Sequence, residues 1–352
     1  MALSAITTGY SNSALGHNSL QACTTGHNNT AVGKDALYTA TTGNGRNVAV
    51  GVNSGRLITS GYQNTMLGAY SGDSITTGYM NVAVGTDSLA AVTTGYENVA
   101  IGHDSLKVAT ANQNVAVGAY AGTATSSGTR NTFIGASSGR ANSTASYNTA
   151  VGSYGLAANT TGAQNTAIGD YALNANTTAS FNTAIGQGAM LVSTTGAYNV
   201  AVGTNAMVAI TTASENVAIG YAALATNQTA IRNVAVGHEA LNASTTGYNN
   251  TCVGYVAGKA ITQGYQNTFI GDRAGTAITT GDNNIAIGSE AMGGSSGCDS
   301  ESNNIAIGRE SMKSANANGC NLNIAIGNNT LDAVTSGQKN TIVGHLAGTE
   351  MT

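Results

Sequence analysis

One asparagine stands four residues before a glycine twenty times along the chain, at Asn12, Asn29, Asn47, Asn64 and onward to Asn340, most steps being 17 residues. A fixed period of this kind marks an array in which each repeat is one structural unit that buries its apolar surface against its neighbours. With that Asn as position 1, the unit reads Asn, Thr or Val, usually Ala, then Val, Ile or Leu, then Gly. Two variable residues follow, then Ala or Ser, then Leu, Met or Gly, and later typically Thr-Thr-Gly. Residues 165–180, NTAIGDYALNANTTAS, are a fair sample.

Helix is a poor reading of this unit, because Asn, Gly and β-branched residues recur in every copy and no 3.6-residue apolar stripe can be drawn. Short runs such as Asn199-Val200-Ala201-Val202-Gly203, bounded by Gly and polar turns, read instead as strands. The expected fold is all-β: a parallel β-solenoid, or β-roll, of about twenty 17-residue rungs. At about 4.8 Å between stacked strands it would make a rod on the order of 95 Å long. The whole of 1–352 is expected to form a single repetitive shaft. Regular repeats cover 12–283, longer irregular ones 284–322, and regular ones return over 323–352.

Two positions vary together. Position 3 is Ala except at Met66, Phe133, Cys252, Phe269 and Ile342, and position 9 is Leu or Met except at Gly55, Gly72, Gly122, Gly139, Gly258, Gly275 and Gly348. Every enlarged position 3 falls in a repeat whose position 9 is Gly, a volume exchange expected of side chains that touch in one packed layer. If position 3 points inward, strand alternation turns positions 2 and 4 outward. Position 4 is aliphatic in every repeat, and a strand apolar on both faces needs cover on both. The rod is therefore expected to be an oligomer. Three chains around an axis, sealing the position-4 stripe, is the preferred arrangement, with two as the other that the periodicity allows.

Composition narrows the partners. Only 8% of residues are charged, against about 25% in ordinary soluble domains. The net charge of −4 is scattered without blocks, so there is no electrostatic footprint for nucleic acid or anionic lipid. No apolar run approaches a membrane span, and MALSAITTGYSN lacks the layout of a signal peptide. No Ser/His/Asp set, paired carboxylates or phosphate loop rises above chance, so no catalytic residue, no cofactor and no metal is expected.

The run Asn-Thr/Val-Ala-Val/Ile-Gly, followed by Ala/Ser-Leu and Thr-Thr-Gly, resembles repeats of bacteriophage tail fibres over nearly the whole chain. It is similar, more loosely, to the head repeats of trimeric autotransporter adhesins; Asn216-Val217-Ala218-Ile219-Gly220 can be set against their "SVAIG"-like strand. Both resemblances imply a homotrimeric, shaft-like structural protein that reaches toward a cell surface, with other fibre or tail proteins and a host surface glycan or protein as partners. An adhesin would need an export signal and a membrane anchor, whereas a phage fibre leaves by lysis. The virion is therefore the expected location and a bacterial cell surface the alternative. An ice-binding β-solenoid, suggested by the Thr-Thr-Gly rows, is a third reading.

The surface-binding candidates are Tyr62, Tyr79, Tyr96, Tyr248 and Tyr265, which with Tyr10 follow the Thr-Thr-Gly element or its variants. Stacked at rung spacing they would form an aromatic ridge suited to sugar rings or protein partners, or a ladder that stiffens the turn. His17, His103, His238 and His345 share position 6, a variable turn position. Cys298 and Cys320 lie in the irregular repeats, where adjacent rungs could bring them to disulfide distance or leave them as thiols. Residues 293–303 and 313–322 are a second candidate patch. The position-1 Asn is expected to form a buried amide ladder.

Overall fold

The computed structural model describes residues 1–41, 45–294, 300, 302–314, 320–332 and 337–349. The chain divides into two compact units, residues 1–179 and 180–352. Each is a parallel β-solenoid of ten rungs, and no helix is found among the described residues. The first unit runs from β1 (Ser13–Leu15) to β10 (Thr166–Ile168), the second from β11 (Thr183–Ile185) to β20 (Thr341–Val343). Every strand is three residues long and occupies positions 2 to 4 of its repeat. Within each unit successive strands pair in register, so that Val82, Ala83 and Val84 lie opposite Val99, Ala100 and Ile101.

The backbone of one rung shows how so little strand closes a coil. In the repeat that begins at Asn81, Gly85 has φ 125°, and Asp87, Leu89 and Glu97 have φ 57°, 51° and 55°. Left-handed residues other than Gly cost about 1–2 kcal/mol each, and the axial hydrogen bonds they make explain their retention. Asp87 N–H donates to Ala69 O (3.1 Å) and Glu97 N–H to Tyr79 O (3.0 Å) on the preceding rung, while Leu89 N–H donates to Ser105 O (3.1 Å) on the next. The corners thus continue the ladder that the strands begin. Gly at position 5 is sterically required: a Cβ on Gly85 would stand 2.7 Å from the carbonyl oxygen of Gly102.

The interior follows the expected alternation. Ala83 at position 3 is fully buried, as are Ser88, Leu89 and Val92 at positions 8, 9 and 12. Positions 3 and 9 do meet: a Cβ on Gly139 would lie 2.3 Å from ring carbons of Phe133, and one on Gly275 2.2 Å from the ring of Phe269. The geometry also accounts for glycines that a same-repeat pairing left over. Gly55 and Gly122 sit on the rungs before Met66 and Phe133, where an added Cβ would stand 2.8 Å and 2.9 Å from those side chains. Met66, Phe133 and Phe269 therefore take room on their own rung and on the one before it, whereas Cys252 and Ile342 follow rungs that keep Leu241 and Leu331 at position 9.

The asparagine ladder is continuous and buried through the regular rungs of each unit. Asn81 N–H and Nδ2 both donate to Asn64 Oδ1 (3.1 and 3.0 Å), and Nδ2 also donates to Gly95 O (2.8 Å). Asn98 repeats the pattern on Asn81. A second, shorter buried ladder occupies position 12 of the first unit, where Asn159 Nδ2 donates to Asn142 Oδ1 (2.9 Å) and Asn176 Nδ2 to Asn159 Oδ1 (2.8 Å).

Candidate functional site

With the interior filled by positions 3, 8, 9 and 12, the outward surfaces are what each unit offers a partner. Position 4 forms a half-exposed aliphatic row on the strand face. Ile101, Ile134 and Ile168 in the first unit are each 39% exposed, and Ile185, Ile219, Ile270 and Ile287 in the second 37–41%. Strand register stacks these side chains directly above one another, as with Ile134 on Val151. A straight row of aliphatic side chains repeated at every rung is an unusual surface for a chain in water.

The tyrosine candidates form two stacks. Tyr62, Tyr79 and Tyr96 lie at centroid spacings of 5.0 and 4.8 Å with interplanar angles of 3° and 1°. Tyr248 and Tyr265 stand 5.0 Å apart at 2°. The ridge is therefore also a ladder: Tyr79 is covered on both faces, and the edges, hydroxyls and outer faces of the end rings are what remain for a partner. The Tyr79 hydroxyl is pushed to higher pKa, first by desolvation and then by its neighbours Tyr96 and Tyr62. Tyr265 moves the same way because of Asp282.

Further aromatic columns, not singled out in the sequence, run at other turn positions. Tyr154 and Tyr171 stack at position 7 (5.1 Å), and Phe181 and Tyr198 at the residue before the ladder Asn (4.9 Å). Tyr221, His238 and Tyr255 form a three-ring column at position 6, capped by the Arg273 guanidinium 5.6 Å from the Tyr255 centroid. The signal for all of these lies in the sequence, since the members of each column are one repeat apart, at positions other than the residue after Thr-Thr-Gly.

The remaining histidines serve separate surroundings. His345 Nδ1 lies 3.2 Å from Asn328 O, and His17 is exposed. His103, Asp87 and Asp104 bring one ligand atom each within 4.8 Å of one another, yet the Lys107 ammonium, 2.9 Å from Asp104 Oδ1, already supplies a positive charge there. Charged side chains pair from rung to rung elsewhere, as in Arg56 with Asp73 (2.8 Å) and Lys259 with Glu239 (2.6 Å). These partners hold the Glu239 carboxyl below the usual range, and Lys313 does the same for Glu290.

The threonine rows divide by role. At position 13 the hydroxyls of Thr59, Thr76, Thr160 and Thr245 donate to the carbonyl of the equivalent residue on the next rung (3.0–3.2 Å). At position 14, Thr144, Thr161 and Thr178 in the first unit and Thr195, Thr212, Thr229 and Thr246 in the second are exposed.

Cys23 and Cys252 are buried thiols, and burial pushes both to higher pKa. Cys320 is also buried, and its carbonyl accepts from Asn304 Nδ2 (2.7 Å). Cys298 lies outside the described residues, as do 295–299, 301 and 315–319 of the second candidate patch. Comparison with known proteins finds no matching family model and no matching curated protein.

Proposed function

We propose that this chain is the shaft of a homotrimeric fibre of the bacteriophage tail-fibre kind, a structural protein that spans distance and contributes to attachment at a host surface. The observation that carries the reading is the position-4 row. A solenoid sealed inside by positions 3, 8, 9 and 12 still presents Val, Ile or Leu outward on rung after rung, and copies of the same chain, packed strand face to strand face, cover that row with its own repeat. The corner hydrogen bonds and the buried amide ladder supply axial stiffness, and three copies would multiply weak surface contacts.

Mass in solution tests the assembly: three chains of 34.9 kDa give about 105 kDa, and a well-folded monomer overturns it. Labelling on purified virions and on bacterial envelopes separates the fibre from a surface adhesin of the autotransporter kind. The ice-binding reading draws on the exposed position-14 threonines, but the neighbouring position-13 hydroxyls donate their protons to carbonyls of the next rung. Assay of ice recrystallisation tests that reading directly.

A further inference from the structure

A cavity of about 450 Å³ opens on the first unit along positions 10 and 11 of four successive rungs, those of Asn114, Asn131, Asn148 and Asn165. Its size falls within the range of small-ligand sites. Four rungs, three steps of about 4.8 Å, make it on the order of 14 Å long. Small side chains, Ala124, Ala141, Ala157 and Ala158, are what hollow it out. Neighbouring rungs carry larger groups at the same two positions, as Lys107 and Val108 do on the rung of Asn98.

Three polar features converge on this alanine-lined groove. Arg140 is exposed and, like Arg46, its guanidinium has no hydrogen-bond or ion-pair partner among the described residues, whereas Arg56, Arg130, Arg232, Arg273 and Arg309 each have one. Asn174 donates from Nδ2 to Tyr154 O (3.0 Å), and its Oδ1 makes no bond among the described residues. Tyr154, 39% exposed, stacks on Tyr171 by one face only. Position 7 of the preceding rung is the small Ser137, so the ring is the end of its column.

An unpaired guanidinium, an amide acceptor, an open aromatic face and a small-residue floor together match one class of ligand. We propose that the groove binds a carboxylate-bearing oligosaccharide, with Arg140 gripping the carboxylate, Asn174 Oδ1 accepting from a sugar hydroxyl and Tyr154 covering a ring face. End rings of the other stacks, such as Tyr62 and Tyr265, also keep one open face, but neither lines this groove. The groove uses positions 7, 10 and 11 and none of the strand positions 2 and 4 that the proposed trimer would cover. The proposal extends the attachment role put forward above but is read independently of assembly and location.

Titration calorimetry of the full chain with trigalacturonate, and with the neutral galactose trisaccharide at the same concentrations, tests it. Saturable binding of the acidic trimer is expected, at least tenfold tighter than the neutral one. Arg140→Gln should weaken it on the order of tenfold, and Ala157→Leu, which fills the floor, should abolish it. Circular dichroism and the solution mass of both variants should match the parent, which separates loss of the site from loss of the fold or of the trimer. No binding of trigalacturonate, equal binding of the neutral trisaccharide, unchanged affinity in Arg140→Gln, or complete competition by equimolar inorganic phosphate would each overturn the proposal.

Discussion

Exchange of volume between Phe133 and Gly139 yields a sharp energetic prediction. Adding Leu at position 139 places its Cβ 2.3 Å from Cδ1 and Cε1 of Phe133, a contact that forces the ring out of its site. Overpacking of this kind costs about 1–3 kcal/mol, and a side chain at φ 57° adds roughly 1–2 kcal/mol. Gly139→Leu should therefore lose about 3 kcal/mol. Phe133→Ala removes a fully buried ring and should lose about 3–5 kcal/mol. The double variant restores the commonest pair, Ala at position 3 with Leu at position 9, and keeps the backbone cost that Leu156 and Leu173 already bear at φ 53° and 50° together with the space beside Gly122 that the ring had filled. It should be more stable than either single variant, with a coupling of about 2 kcal/mol or more. Denaturant midpoints give the totals. Hydrogen exchange at the rungs of Asn131 and Asn148 locates the effect, since repeat arrays open locally. Additive single effects would refute the idea that the two positions share one space.

Other outcomes follow from the same geometry. Asn81→Ala removes the side chain that bonds Gly95 O and Asn98 N–H, leaving both buried without those partners, and should cost about 3 kcal/mol in thermal or chemical melts; no loss would show that the ladder is incidental. Ile168→Asp together with Ile134→Asp on the outward row should convert the proposed trimer to a folded monomer by light scattering, while an unchanged mass would place the interface elsewhere. Because partners depress the folded pKa values of Glu239 and Glu290, their stabilisation is complete above the usual glutamate range and is lost as pH falls through the lowered values. Acid titration should therefore loosen their rungs first, and Lys259→Met should remove the Glu239 contribution. Cys252, fully buried and with its thiol pKa raised, should resist a thiol reagent at neutral pH until denaturant opens the coil; prompt labelling of the native protein would contradict its place in the core.

Twenty repeats of one unit determined the secondary structure before any coordinates, because period, strand alternation and the recurring Asn and Gly are local properties that each repeat reports again. Even the contact between positions 3 and 9 was legible, since Phe133 with Gly139 and Phe269 with Gly275 record a shared volume in the letters themselves. The partners of Gly55 and Gly122 were not, because they lie on the next rung, and a comparison made within repeats has no access to contacts between them. The same reason hid the left-handed corners at Asp87, Leu89 and Glu97: ordinary residue types occupy them, and only the axial hydrogen bonds to Ala69, Ser105 and Tyr79 make that backbone worthwhile. The tyrosines after Thr-Thr-Gly are legible as a column, but their face-to-face closure at about 5 Å is decided by how the rungs stack. The groove beside Arg140 belongs wholly to the tertiary structure. Its floor is made of alanines from separate rungs, each unremarkable in its own repeat, and they become a cavity only when stacking sets them in line.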